Sequence, residues 1–163
     1  MNAQDTLKAN HATSTMVLKA YVSDFSDADL MVRPGPGCNH AAWQLGHLIA
    51  SECDLLEMAA PGAAFKLPEG FADQHAKDKN NIDDASQFKT KSEYLALMDQ
   101  VQAATVTAIE NTNESDLDAP GPEAMREWCP TVGTLYVLIT AHAMMHAGQL
   151  VPVRRALGKP ILM

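Results

Sequence analysis

The segment AHAMMHAGQL, residues 141–150, places two histidines four positions apart in a run without a charged side chain. The uncharged stretch is longer still and covers residues 131–153. Residues i and i+4 of an α-helix lie on the same face, so His142 and His146 share one stripe with aliphatic side chains. The pattern predicts a largely buried helix that carries two imidazoles toward the interior.

Three further segments show the spacing of apolar residues that is typical of helices. They cover about residues 2–25, 39–60 and 86–112, and the last helix is expected at about residues 131–150. No segment alternates with period two for long enough to predict a strand. A long link with Pro68 and Gly70 separates the second helix from the third. We expect an all-α fold, a four-helix bundle with a long connection between helices two and three. At this length, residues 1–163 are expected to form a single domain.

The charge balance restricts the partners. Twenty Asp and Glu oppose twelve Lys and Arg, for a formal charge of −8, which argues against nucleic acid and against anionic lipid as partners. The uncharged run is long enough to cross a bilayer, but it holds two histidines, Gln149 and Pro152, and polar groups are costly in hydrocarbon. We therefore expect a helix inside a soluble bundle and no membrane partner.

The cysteines indicate the compartment. Cys38, Cys53 and Cys129 are isolated in the sequence and odd in number. Free thiols in a reducing cytosol are the expectation from this pattern. The first twenty residues lack the continuous apolar core of a signal peptide. The predicted location is cytoplasmic.

Two buried imidazoles on one stripe need partners. An unsatisfied buried polar group costs about 1–3 kcal/mol, against a net stability of about 5–15 kcal/mol. Ordinary hydrogen bonds in the core are one explanation. A shared metal ion is the other, because imidazoles at i and i+4 can converge on one ion with metal–nitrogen bonds of about 2.0–2.1 Å. The two histidines alone do not decide between hydrogen bonds in the core and a shared metal ion.

A third ligand would come from another helix. His75 lies in a hydrophilic loop and is expected to be solvated, whereas His11 falls on the inner face of helix one. His40 stands near the start of helix two, where a capping role is equally plausible. His47 follows Gly46, and a glycine inside a helix costs about 1 kcal/mol relative to alanine. Such a glycine suggests close approach by another backbone or by a ligand.

Apolar residues occupy two faces of helices two and four. His47 lies away from the centre of the main apolar stripe of helix two. Helix two must therefore be buried on two sides if His47 faces the interior. The far face of helix four is small and uncharged, with Val137, Thr140, Ala141, Met144, Ala147 and Gly148. Two doubly buried helices in so small a bundle predict a homodimer interface.

Three motifs together resemble a known family. They are Trp43-x-x-Gly46-His47-Leu48, His142-x-x-x-His146-Ala147-Gly148-Gln149-Leu150 and Arg154-Arg155-x-Leu157-Gly158. Their order and spacing are similar to those of the DinB-like superfamily, over nearly the whole chain. The resemblance implies a four-helix bundle, often dimeric, with a divalent ion, commonly zinc or nickel, held by three histidines. Those ligand positions fall on His47, His142 and His146, whereas His11 and His40 match none. The family includes transferases and isomerases that use bacillithiol or mycothiol, and many members without a known reaction.

The chemistry that follows is that of an open metal site. Three imidazoles leave positions for water or a thiol, an arrangement typical of catalytic rather than structural zinc. The pair lacks the glutamate of the His-Glu-x-x-His proteases, so proteolysis by that route is not expected. We expect a divalent-metal-dependent enzyme of the transferase or hydrolase type. One such activity is thiol-dependent S-transfer, which would use a low-molecular-weight thiol as cofactor. The alternatives are a non-catalytic metal-binding protein with a structural or sensing role, and a helical dimer that binds no metal.

Other side chains near the histidines carry open expectations. Asp54, two turns after His47, could orient a ligand, act as base or be solvated. Glu52, in the middle of a leucine stripe, could pair with Arg154 or Arg155 or approach the metal. Gln149 could hydrogen-bond near His146, and Trp43 is expected in the core rather than as a substrate platform. No general acid or base is identified from the sequence.

Overall fold

The computed structural model describes residues 1–162, and all its regular elements are helices. Four are long: α1 (Ala3–Val22), α3 (Ala41–Ala59), α5 (Lys91–Asn111) and α7 (Val132–Ala156). Three are single turns: α2 (Asp27–Leu30), α4 (Phe71–Gln74) and α6 (Glu114–Leu117). Short 3₁₀ helices cover Lys77–Lys79, Ala85–Gln87 and Glu123–Met125. The all-α class is confirmed, and residues 1–162 contain no β-strand. Within this described part, no helix is long and apolar enough to cross a membrane.

The long helices begin after capping residues, and for α5 this position differs from the helix start that the apolar periodicity predicts. Asp84 caps a 3₁₀ turn, and α5 begins only after Thr90, which forms a reciprocal capping box with Glu93. The N-cap of α3 is His40, whose Nδ1 accepts from the backbone N–H of Trp43 at 3.1 Å. At the other end of the chain, α7 continues through Pro152 to Ala156.

Buried side chains explain why α7 passes its proline. Leu150 and Val153 are in the core, and the Arg154 side chain is fully buried. The Arg154 guanidinium donates to both carboxylate oxygens of Asp24 and to the carbonyls of Tyr21 and Pro160. These contacts fix the last turn of α7 against the end of α1. They offset the loss of the backbone hydrogen bond that Pro152 cannot donate. Neither Arg154 nor Arg155 is the partner of Glu52, contrary to one sequence expectation.

The long helices pack in a closed ring of contacts: α1 against α7, α7 against α3, α3 against α5 and α5 against α1, with α1 and α7 in the most extensive contact. One hydrophobic cluster includes Leu18, Leu45 and Leu150, and the other includes Leu7 and Leu135. The order of the clusters along each helix shows that α1 and α7 run together, opposite to α3 and α5.

A polar layer crosses the interior near the boundary of the two clusters. All four long helices contribute to it: its members are His11, Ser14, Glu52, Thr105, Thr140 and His142. Such groups inside an apolar core need hydrogen bonds or another partner to offset their desolvation. The layer therefore marks the level of the molecule at which polar chemistry is concentrated.

Candidate metal centre

Three histidines from two helices meet beside this layer. His47 of α3 and His142 and His146 of α7 each offer a ring nitrogen, and these nitrogens all lie within 4.8 Å of one another. The ring centroids are 5.6 Å apart for His47 and His142 and 5.4 Å for His47 and His146. Nitrogens bound to one zinc ion are at most about 4.2 Å apart, so closing on an ion requires side-chain shifts on the order of 1 Å.

The Trp43 ring supports His47. The two rings, one helical turn apart, are parallel within 5° at a centroid distance of 4.8 Å. Trp43 is buried, and its indole N–H donates to the carbonyl of Ala76 at 3.2 Å. Trp43 thus belongs to the core, as expected from the sequence, and also limits the rotation of the His47 imidazole.

His75 packs against α3 beside the cluster, and the prediction that it is solvated is wrong. Its ring is 1% exposed, and its Nδ1–H donates to the carbonyl of Phe71 at 2.8 Å. Its Nε2 therefore accepts from the Tyr94 hydroxyl, also at 2.8 Å. Gly46 is explained by this ring, since a Cβ at Gly46 would lie 2.0 Å from the His75 Cδ2. The close approach that the glycine signals comes from a side chain, neither from backbone nor from a bound molecule.

Gln44 orients His146 and was missed in the sequence. Its amide nitrogen donates to the carbonyl of Asn39 at 3.0 Å, which turns its Oε1 toward the Nδ1 of His146 at 3.1 Å. His146 therefore carries its proton on Nδ1, and its Nε2 keeps a lone pair. The available signal was an uncharged polar residue one turn before His47. Gln149, the expected partner, is exposed and borders a surface cavity with Cys38.

Burial keeps the three imidazoles neutral. Desolvation, followed by the charge of neighbouring histidines, lowers the pKa of His47 to about 4 and that of His146 to about 3. Desolvation also lowers the pKa of His142. Neutral imidazoles have the lone pairs that a metal requires. The Nδ1 of His142 is buried without a hydrogen-bond partner. These donors fit a divalent ion.

A cavity of about 310 Å³ opens on His47 and is lined in part by Ser51, Asp54, Asp73 and Lys77. Partial desolvation raises the pKa of Asp54. The positive charge of Lys77 is close enough to contribute to the lowered pKa values of His47 and His142. A small molecule in this cavity would meet both signs of charge next to the histidines.

The remaining candidates lie outside the cluster. His40 caps α3, and its Nε2–H donates to the carbonyl of Ile82 at 2.9 Å. His11 is buried and pairs with Glu52, its Nε2 lying 2.9 Å from Oε1 of the carboxylate. His40 thus has protein partners at both ring nitrogens and His11 at Nε2, and neither belongs to the three-histidine cluster.

The structure defines an all-helical protein with a cluster of three histidines whose nitrogens are close enough together to be candidates for holding a metal ion. The family model of the DinB superfamily matches residues 11–150, which is most of the chain. The chain therefore belongs to the DinB superfamily. A comparison with curated proteins found no match.

We expect the ion-free protein to lose stability as the pH falls below about 6.5. Burial lowers the folded-state pKa of five histidines, His40, His47, His75, His142 and His146. Unfolded chains then bind protons that the folded chain does not, so stability is complete above pH 6.5 and declines below it. Each such proton contributes about 1.4 kcal/mol per pH unit, which predicts a loss of about 2 kcal/mol or more between pH 7 and pH 5.5.

Urea unfolding of chelator-treated protein measures this dependence. The His146→Gln variant should show a shallower slope, because it lacks the histidine with the largest resolved shift. A free energy of unfolding that is constant from pH 7 to pH 5.5 would contradict the prediction.

Proposed function

We propose that the protein is a divalent-metal-dependent enzyme in which His47, His142 and His146 hold the ion, zinc or nickel being the first candidates. The observation that carries the proposal is the convergence of three neutral imidazoles, whose ring nitrogens all lie within 4.8 Å of one another. We also propose that residues 1–163 form one domain and that the four long helices with their long connection are the DinB-like bundle.

Three features support catalysis. Three protein ligands leave positions on the ion open, as in catalytic sites. The 310 Å³ cavity gives a small molecule access to His47. When bound, the ion would supply Lewis acidity that lowers the pKa of a water or thiol. The chain itself orients the His146 imidazole through Gln44, and Asp54 can hold a proton in the cavity. These features suit transfer or hydrolysis reactions on a small molecule, including S-transfer from a low-molecular-weight thiol.

One observation favours the second candidate, a non-catalytic metal protein. The histidines come from α3 and α7, so an ion between them would cross-link two long helices. A structural or sensing role would use that cross-link without any substrate. Thermal melting of the loaded and ion-free protein separates the two functions, as described in the Discussion.

Metal analysis of protein purified without an affinity tag tests the shared part of both proposals. We expect about one zinc or nickel ion per chain, measured by elemental mass spectrometry, and its removal by a chelator. A content well below one ion per chain that added zinc or nickel does not restore would exclude a metal function.

We further propose that the chain is a homodimer. The outer surface of α1 and α7 exposes apolar side chains without charge: Met16 is 59% exposed, Val137 53%, Met144 38% and Met145 58%. Exposed apolar side chains of this size favour contact with another protein surface, here a second copy of the chain. Thr140 and Ala147, predicted on this face, are buried within the protomer. A monomer mass by light scattering at micromolar concentration would contradict the dimer.

The remaining partner proposals rest on composition. The formal charge of −8 supports the absence of nucleic-acid binding. Three free cysteines support a reducing compartment, the cytoplasm. Detection of the tagged protein in cell fractions tests this location.

A further inference from the structure

Glu52 is a carboxylate inside the polar layer, with a side chain only 12% exposed. Its Oε1 accepts from the Thr105 hydroxyl at 2.6 Å and faces the Nε2 of His11 at 2.9 Å. The Thr105 hydroxyl also lies 3.3 Å from the carbonyl of Val101, and the shorter contact identifies the carboxylate as its acceptor. The position of the carboxylate is therefore set from two other helices, α1 and α5.

Both contacts use the same oxygen of Glu52. A carboxylate can accept about four hydrogen bonds, so Oε2 keeps its capacity. Holding an ionised group in the core is costly unless hydrogen bonds satisfy it. The contacts with His11 and Thr105 help to hold the carboxylate of Glu52 within the polar layer.

His142 is the one histidine of the cluster that lacks an orienting contact. His146 is oriented by Gln44 and His47 is stacked on Trp43, whereas the buried Nδ1 of His142 has no partner. Glu52 and His142 belong to the same polar layer between the two hydrophobic clusters. Glu52 is thus a carboxylate in the layer that also holds the ring without an orienting contact.

We propose that Glu52 is a positioning residue of the metal centre, whose carboxylate accepts a hydrogen bond from Nδ1–H of His142 when the other ring nitrogen binds the ion. The inference rests on the proposed metal function. Metal-bound histidines commonly donate their second N–H to a carboxylate, which fixes the ring and makes it a stronger ligand. His11 and Thr105 then affect the metal centre indirectly, because they hold Glu52 in place.

The test compares Glu52→Gln with the unmodified full-length protein. The amide keeps the size of the side chain and removes its charge, so zinc affinity should fall about 10–100-fold, measured by competition with a chromophoric chelator. Bound Co²⁺ should also show a changed visible absorption spectrum, which a purely structural role of Glu52 would leave unaltered. Glu57→Gln is the matched control on the same helix, and we expect its zinc affinity to stay within about threefold of the unmodified protein, because Glu57 is exposed and lies ten residues after His47.

A second variant keeps the test decisive if Glu52→Gln does not fold. Thr105→Val removes the hydroxyl that fixes Glu52 and keeps the shape of the side chain, and it should weaken zinc binding by about 3–10-fold. Zinc affinity within twofold of the unmodified protein in Thr105→Val, or an unchanged affinity and Co²⁺ spectrum in folded Glu52→Gln, overturns the assignment of Glu52. Absence of zinc binding by the unmodified protein instead overturns the metal function itself.

Discussion

Replacing His142 with alanine is expected to weaken zinc or nickel binding by about 100-fold or more, because one of three donors is lost. The imidazole is half-buried and its Nδ1 makes no hydrogen bond, so the fold should tolerate the change. Isothermal titration of chelator-treated protein measures the affinity. Met145→Ala, at an exposed position on the same helix, is the control and should bind the ion like the unmodified protein.

The same variant distinguishes the two metal functions. If the ion is catalytic, the ion-free protein and the His142→Ala variant should still unfold cooperatively, with a melting temperature lowered only by the mass-action effect of any ligand of the folded state. If it is structural, both should lose the cooperative melting transition that the loaded protein shows, because metal binding is then part of folding. Retention of one tightly bound ion by the variant would rule out His142 as a ligand.

Replacing Gly46 with alanine is expected to destabilise the protein by about 2–4 kcal/mol, as overpacking of a tight core does. The added Cβ would lie 2.0–2.4 Å from three atoms of the His75 ring. That ring cannot move freely, because Phe71 and Tyr94 hold both of its nitrogens. On an open helix the same change would stabilise by about 1 kcal/mol through helix propensity, so the sign of the effect is diagnostic.

Urea unfolding of the unmodified protein, the two single variants, the double variant and one control completes this experiment. His75→Ala should remove most of the penalty of Gly46→Ala, which gives a coupling energy of about 2 kcal/mol in the double-mutant cycle. Gly148→Ala is the matched control, since a Cβ there meets nothing within 4 Å, and it should be neutral or stabilising. An unchanged stability of Gly46→Ala would show that His75 does not press on α3.

Local periodicity was sufficient for some parts of the molecule. The four long helices follow from apolar spacing, and the juxtaposition of His142 and His146 follows from the geometry of one helix. His47 required the family resemblance, because periodicity alone placed it away from the main apolar stripe of its helix. Its role as a metal ligand remains a prediction.

Other parts depend on contacts between distant segments, which one sequence does not specify. His75 stands among polar residues, yet its loop folds back over Gly46 and buries it. The partner of Glu52 is His11, 41 residues away, where the sequence had suggested an arginine or the metal. The start of α5 was placed too early, at about residue 86, and only the structure shows that Asp84 caps a short 3₁₀ turn while Thr90 caps the longer helix.

The pairing of the first and last long helices has a consequence for biogenesis. The most extensive packing in the molecule joins α1 to α7, which are more than a hundred residues apart in sequence. During synthesis, α1 therefore lacks its principal neighbour until residues 132–156 have emerged, and such distant pairing slows folding relative to other helical proteins. Two of the three clustered imidazoles are on α7, so the proposed metal site can form only after that helix has been made.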